Sequence, residues 1–408
     1  MQSQAMIKKI PITALRVGMY VTNITQRGIT LTEQEREGRV KDQATIDQLI
    51  ARGVTFLYID VKQGDDCSEG VPLTEVDAKH QQDMQTLVEK HAPLSLEPTA
   101  ELGQELKKAE KLHHQALDLV YHAMEAAKAG KNVSISPFEQ MADGFVSSVF
   151  RNQNALACLS RIRDKDSYLM EHSVNVAVLM SILGKHLQLD PTTLHQCVTG
   201  ALLHDIGKIL IPDSVLHKPG KLTDEEFFIM KKHSTFSRDI LKRSGGFPDI
   251  CVNIAGQHHE RLDGNGYPDG LKGDNIAAEA RMASVVDIYD AITADRVYHK
   301  GMTPSVALKR MLEWVDFHLD KQYLHAFIKA IGIYPVGSLV ELESGRLAVV
   351  IAENLGNTLK PTLKIIYNAK TQHYLPVEII DLSQQEKDKI LRTADPQEYK
   401  INLKDFML

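Results

Sequence analysis

The sequence predicts a mainly α-helical protein with a small α+β module at its N-terminus and a β-rich extension at its C-terminus. Apolar residues recur every three to four positions through the middle of the chain, and short β-rich segments lie on either side. A chain of 408 residues can form two or three domains. We expect an α+β module at 1–65, a linker and amphipathic helix at 66–135, a helical domain at 136–335 and a β-rich extension at 336–408.

Composition excludes several classes of protein. A net charge of −6 argues against a DNA or RNA polymer as partner. The four cysteines form no C-x-x-C pair, which fits a reducing compartment and argues against a thiolate zinc site. The polar N-terminus is unlike a signal peptide, and the longest apolar run, residues 174–184, is too short to span a bilayer. We therefore expect a cytoplasmic protein without a membrane span.

The flanking regions carry no recognisable chemistry. In the N-terminal module we expect strands at 7–12, 19–22 and 54–60 and a helix at 44–53, which Gly53 ends. In the C-terminal extension we expect strands at 339–342, 347–351 and 363–367, with a hairpin turn at 343–346 and a short helix near 384–392. The N-terminal module is interpreted as a folding or docking module, and the C-terminal extension as a small β cap or barrel.

Residues 101–129 predict one long amphipathic helix. Its apolar seam follows a heptad pattern of Leu102, Leu106, Ala109, His113, Ala116, Val120, Ala123 and Ala127. The seam could pack on the helical domain or on a second copy of the chain, so a homodimer is left open.

The helical domain places imidazoles and carboxylates on apolar helix faces. His204 and Asp205, for example, continue the face of Leu194, Val198 and Ala201. One inward histidine is more often a hydrogen-bonded core residue than a ligand. Seven inward groups on five predicted helices are costly to bury without a cation. The candidate metal ligands are His172, His204, Asp205, His233, His258, His259 and Asp287.

These ligand types suit divalent metals acting on a phosphodiester. Histidine and aspartate without cysteine favour iron or manganese, with zinc, magnesium or nickel as alternatives. Seven ligands are too many for one tetrahedral ion but fit two ions that share an activated hydroxide. Asp205 is the expected bridge and a catalytic residue, together with Lys208, which would neutralise phosphate charge. Arg296 would add a phosphate or guanine contact.

Two motifs carry a family resemblance. The segment His204-Asp205-Ile206-Gly207-Lys208 and the segment His258-His259-Glu260-x-x-Asp263-Gly264-x-Gly266-Tyr267-Pro268 together resemble the HD-GYP domain, a bacterial branch of the HD metal-dependent phosphohydrolases. The resemblance covers about residues 140–335. It implies a helical HD-type core that hydrolyses the second messenger cyclic di-GMP to pGpG and, in some members, to GMP.

The resemblance also implies roles for individual residues. One metal would be held by His172, His204, Asp205 and Asp287, and the other by Asp205, His233, His258 and His259. Substrate contacts would come from Lys208, Gly266, Tyr267, Pro268, Asp290, Arg296 and Lys300, the last standing beside His299 where several members have a basic residue. Members that bind a third metal have glutamate where this chain has Tyr168, so a dinuclear site is expected. The Gly-Tyr-Pro loop docks diguanylate cyclase (GGDEF) domains in some members.

Two alternatives remain open from the sequence. The substrate could be cyclic GMP-AMP or another cyclic dinucleotide, because the motifs do not specify the bases. The chain could also be a non-catalytic receptor that binds the nucleotide and signals through the helix at 101–129, although the complete ligand set argues against this reading.

Overall fold

The structure, a computed structural model, describes residues 6–22, 37–89, 98–160, 168–295, 301–315, 317–354, 359–385 and 388–407. It divides into two compact units, Met1–Met84 and Gln85–Leu408. None of the helices in these ranges is long and apolar enough to cross a membrane.

The first unit is an antiparallel five-stranded sheet with a helix packed into its core. Its elements are β1 (Ile7–Pro11), β2 (Tyr20–Thr22), β3 (Gly38–Arg39), α1 (Gln43–Ala51), β4 (Phe56–Asp60) and β5 (Val71–Pro72), in the sheet order β3-β2-β4-β1-β5. Asp42 caps α1 by accepting a hydrogen bond from the Thr45 amide. β5 pairs with β1 and extends the sheet beyond residue 65.

The second unit is built mainly from helices, which confirms the predicted mainly α-helical fold class. The helices are α2 (Leu73–Glu89, which crosses the division), α3 (Leu102–Lys128), α4 (Ser136–Leu159), α5 (Tyr168–His186), α6 (Pro191–Leu203), α7 (Asp213–Leu216), α8 (Asp224–Ser244), α9 (Asp249–Gln257), α10 (Ala278–Thr293), α11 (Pro304–Leu312) and α12 (Lys321–Ile331). A capping box of Thr223 and Glu226 begins α8.

The seam of α3 is buried within its own chain. Ala109, Ala116 and Val120 are at most 2% exposed, and α3 packs against α4 and α5. The fully buried Glu105 accepts hydrogen bonds from both Arg151 and Ser148 on α4. The seam therefore serves intramolecular packing, the first of the two alternatives that the sequence left open.

The C-terminal extension is a second antiparallel five-stranded sheet. Its elements are β6 (Leu339–Leu342), β7 (Arg346–Ala352), β8 (Thr362–Asn368), β9 (His373–Asp381), β10 (Ile390–Thr393) and the short helix α13 (Lys404–Met407), in the sheet order β10-β6-β7-β8-β9. The β6–β7 hairpin turns at Gly345, whose φ of 84° favours glycine. The helix predicted near 384–392 is wrong, because Ile390–Thr393 forms β10, which completes the sheet by pairing with β6.

Candidate metal centre

The HD motif, His204-Asp205, lies between the end of α6 and a tight 3-10 turn, Ile206–Leu210. A Cβ added to Gly207 would lie 2.3 Å from the carbonyl oxygen of His233 and 2.5 Å from the amide nitrogen of Ser237. Only glycine permits this approach, and the Gly207 amide donates to Ser237 Oγ at 2.9 Å. The contact places Asp205, which precedes the turn, beside α8 and its histidine.

The other ligand candidates come from four further helices or their ends. His172 lies on α5, His233 on α8 and Asp287 on α10, while His258 and His259 directly follow α9. Close packing holds α9 near the HD motif, because a Cβ on Gly200 of α6 would lie 3.0 Å from the Cα of Cys251 on α9.

Asp205 stands at the middle of the cluster. Its Oδ2 lies 3.2 Å from His204 Nε2 and 3.4 Å from His172 Nε2. Its Oδ1 lies 3.3 Å from His233 Nε2 and 3.7 Å from His258 Nε2. The candidate ligand atoms form two groups, and within each group all of them lie within 4.8 Å of one another. One group contains Asp205, His233, His258 and His259, and the other contains His172, His204 and Asp287. The structure thus brings together all seven predicted ligands.

Backbone hydrogen bonds determine which imidazole nitrogen faces the cluster. Three histidines donate a hydrogen bond from Nδ1 to a backbone carbonyl of their own helix. His204 donates to Ala201 (2.8 Å), His233 to Met230 (2.7 Å) and His258 to Ile254 (2.9 Å). A carbonyl can only accept, so each Nδ1 carries a proton and each Nε2 faces the cluster. A ring held in this orientation presents Nε2 for metal ligation.

The charges of the cluster also suit a cation. Burial lowers the pKa of His204, and it lowers the pKa of His233 to about 3, so both rings are neutral near pH 7. Burial alone would raise the pKa of Asp205, but interactions with His204, Lys208 and His172 outweigh it and hold that pKa well below its usual range.

Three buried atoms of the cluster provide a test of fit. Asp205 Oδ1, His204 Nε2 and His258 Nε2 are shielded from solvent and make no hydrogen bond within the part of the chain that the structure describes. Buried polar atoms without partners are costly, and divalent cations bind such neutral imidazole nitrogens and carboxylate oxygens. The residues present therefore fit divalent metal ions.

Lys208 and Asp290, both expected to contact the substrate, differ in their exposure to solvent. The Lys208 ammonium contacts Asp205 Oδ2, and its side chain remains 17% exposed. Asp290 is 1% exposed, and its Oδ2 lies 2.7 Å from Nδ1 of His172. The sequence placed Asp290 among the substrate contacts, whereas in the structure it orients a candidate ligand from behind. The helical pattern did not reveal this because it does not specify what a buried carboxylate contacts.

Glu260 organises the Gly-Tyr-Pro loop, a role that the sequence analysis did not assign. It is 2% exposed and accepts hydrogen bonds from the amides of Asp269 (2.7 Å), Gly270 (3.1 Å) and Leu271 (2.9 Å). A Cβ added to Gly266 would lie 2.5 Å from the Glu260 Cα, so the loop can fold onto this acid only with glycine there. An acidic residue followed by a glycine-rich turn was the only available signal.

The loop brings Tyr267 against the metal ligands. Its amide donates to the carbonyl of His259 at 3.2 Å, and its ring centre lies 4.8 Å from that of His259 and 6.2 Å from that of His233. The Tyr267–Pro268 peptide is cis. Arg296, His299 and Lys300 lie outside the described residues, as does the side chain of Tyr168.

HD-domain proteins are a class defined by a helical core that surrounds a buried cluster of histidines and aspartates, with an adjacent His-Asp pair among them. A model of the "HD domain" matches residues 157–323. A "Domain of unknown function (DUF3391)" matches residues 7–138, and a "KOW domain associated with HD domain" matches residues 339–402.

Characterised relatives place the chain more narrowly. It is 36% identical over 379 residues to the cyclic di-GMP phosphodiesterase PA4108 of Pseudomonas aeruginosa, covering 92% of this chain and 89% of that protein. It is 39% identical over 160 residues to the cyclic di-GMP phosphodiesterase response regulator RpfG of Xanthomonas campestris, covering 39% and 42%. The chain therefore belongs to the HD-GYP family. It also matches 3'3'-cGAMP-specific phosphodiesterase 1 of Vibrio cholerae at 34% identity over 212 residues, covering 51% and 47%.

Proposed function

We propose that this chain is a metal-dependent phosphodiesterase that hydrolyses cyclic di-GMP to pGpG at two divalent cations. The observation that carries the proposal is the position of Asp205, whose two carboxylate oxygens face two separate sets of imidazoles. The likeness to PA4108 over 92% of the chain supports cyclic di-GMP as the substrate.

The protein's own residues would bind the cations and orient the substrate. His172, His204 and Asp287 would hold one cation and His233, His258 and His259 the other, with Asp205 shared between them. Bound divalent cations supply Lewis-acid activation of water and of the phosphoryl oxygens. Lys208, partly exposed beside Asp205, would stabilise charge that develops on the phosphate. Imidazole-rich ligation without cysteine supports iron or manganese as the metals.

Cyclic GMP-AMP is a second candidate substrate. A relative that is named for this nucleotide matches half of the chain. The metal ligands and Lys208 would contact phosphate, which the two nucleotides share, so the bases must be distinguished elsewhere. Competition kinetics with both cyclic dinucleotides would rank them through their kcat/KM values.

Metal analysis combined with product chromatography tests the proposal. The purified protein should contain two equivalents of metal and convert cyclic di-GMP to pGpG, and Asp205→Ala should abolish conversion. A matched control is His195→Ala, which removes a partly exposed histidine paired with Asp143 and should leave conversion unchanged. Metal-loaded protein that binds cyclic di-GMP without cleaving it would contradict the proposal and support the receptor reading.

Three expectations from the sequence stay predictions. They are the cytoplasmic location, the docking of diguanylate cyclase domains on the Gly-Tyr-Pro loop that some family members show, and the homodimer that the sequence leaves open. All four cysteines are free and buried, as a reducing compartment allows.

A further inference from the structure

The described residues on either side of positions 296–300 contact each other directly. The Gly301 amide donates a hydrogen bond to Asp295 Oδ1 at 2.9 Å, and the Met302 amide donates to a backbone carbonyl of α10 at 2.8 Å. A Cβ added to Gly301 would lie 2.3 Å from the carbonyl oxygen of Thr293, so only glycine permits this approach. The two ends of this stretch of chain are therefore fixed to one another at the end of α10.

The C-terminal extension holds both of these ends. On one side, Gln397 Nε2 donates to Asp295 Oδ2 at 2.6 Å. On the other side, Thr393 Oγ1 donates to Thr303 Oγ1 at 2.8 Å and lies 2.7 Å from Ser305 Oγ. A hydroxyl carries one proton, so the Ser305 hydroxyl donates to Thr393 and the three hydroxyls form a chain. Thr303 precedes α11 but makes no capping bond to it, so its hydroxyl serves this chain instead.

These contacts bear on the residues between the two ends. Arg296 directly follows Asp295, and Lys300 directly precedes Gly301. Consecutive Cα atoms are about 3.8 Å apart, so fixing the two outer residues limits where the backbone of Arg296 and Lys300 can lie. A cationic side chain on a fixed backbone loses less conformational freedom when it binds an anion. Both residues are expected to contact the phosphate of the substrate.

We propose that Thr393 and Gln397 of the C-terminal extension are positioning residues for the substrate contacts of Arg296 and Lys300. They would act through the residues at the two ends of positions 296–300 and would not contact the substrate themselves. This inference rests on the proposed function, because it assumes a phosphodiester bound at the metal centre. It gives the β-rich extension a part in substrate binding as well as in folding.

Steady-state kinetics test this role. Thr393→Val and Gln397→Ala should each lower kcat/KM for cyclic di-GMP by about threefold to tenfold, which corresponds to the loss of one hydrogen bond. Thr393→Ser keeps the hydroxyl and should restore the value of the wild type. The matched control is Gln384→Ala, which removes another exposed glutamine of the extension, whose amide donates to Ser383, and should change nothing. Wild-type kinetics in both Thr393→Val and Gln397→Ala would overturn the proposal.

A double-mutant cycle separates positioning from a general loss of stability. In protein that already carries Arg296→Ala and Lys300→Ala, the contacts to be positioned are absent, so Thr393→Val should lower kcat/KM no further. A residue that merely stabilises the fold would lower kcat/KM equally in both backgrounds. An equal loss in the two backgrounds would therefore overturn the proposal.

A binding measurement makes the same comparison without turnover. The Kd of a non-hydrolysable phosphorothioate analogue of cyclic di-GMP, measured by calorimetry, should rise about threefold to tenfold in Thr393→Val. The rise should disappear when Arg296→Ala and Lys300→Ala are also present. This pattern in a protein that does not hydrolyse cyclic di-GMP would uphold the positioning role and refute the proposed function. Hydrolysis by the wild type, with equal losses in both backgrounds, would refute only the positioning role.

Discussion

Asp290 Oδ2 lies 2.7 Å from Nδ1 of His172, and Nε2 of the same ring lies 3.0 Å from Asp287 Oδ1. The imidazole is thus held between a buried carboxylate behind it and a candidate ligand in front. Carboxylates in this position fix the orientation of a ligating histidine and increase its basicity. The metal group that contains His172 should therefore depend on Asp290, although Asp290 is no ligand itself.

Asp290→Asn should lower the affinity for one of the two metals more than the affinity for the other. Loss of the carboxylate charge should lower the affinity of the His172 group about 10-fold to 100-fold, while the His233 group retains its metal. Titration with a chelator and measurement of the metal content would show occupancy falling from two to about one per chain. Full occupancy at the affinity of the wild type would refute this role for Asp290.

Gly207→Ala should destabilise the protein and misplace Asp205. The added methyl would lie 2.3 Å from the backbone of α8, so the 3-10 turn must shift at a cost of about 1–3 kcal/mol in unfolding free energy. Chemical denaturation would measure the loss. The control is Gly103→Ala in α3, where an added Cβ meets nothing within 4 Å and alanine should stabilise the helix by up to about 1 kcal/mol. Equal effects of the two substitutions would contradict the packing described.

Glu260→Gln should loosen the Gly-Tyr-Pro loop. Glutamine keeps an acceptor oxygen but loses the charge that binds three amides. Because hydrogen bonds to a charged group contribute about 1.5–3 kcal/mol to stability, the free energy of opening the loop should fall by about that amount. Hydrogen exchange should become faster at the amides of residues 269–271. The exposed Glu225→Gln serves as the control and should leave their protection unchanged, and unchanged protection in Glu260→Gln as well would refute the anchoring role.

His113 should make the folded state less stable in acid. Burial lowers its pKa from 6.5 to about 4, so the unfolded chain binds a proton more readily between these values. Its neutral form is therefore tolerated above pH 6.5, and the unfolding free energy falls by roughly 3 kcal/mol as the pH drops towards 4. His113→Leu should reduce this pH dependence, whereas His122→Leu, which removes an exposed histidine of the same helix, should retain it. Identical pH profiles for His113→Leu and the wild type would contradict this account.

The sequence predicted those parts of the structure that depend on local periodicity. The faces of α5, α6 and α8 follow from apolar spacing, and the positions of His172, His204 and His233 follow from those faces. The pairing of Asp290 with His172 joins residues 118 positions apart, and Glu260 binds amides nine to eleven positions later. Such contacts depend on how helices and loops pack, which periodicity does not describe. The edge strand β10 was missed for a related reason, because its pairing with β6 joins segments that are distant in the sequence.

Anomalous diffraction from crystals of the metal-loaded protein tests the central claim most directly. The account predicts two metal peaks, one on each side of the Asp205 carboxylate, with His172, His204 and Asp287 around one and His233, His258 and His259 around the other. A single peak, or peaks that Asp205 does not contact, would contradict the shared two-metal centre from which the proposed chemistry follows.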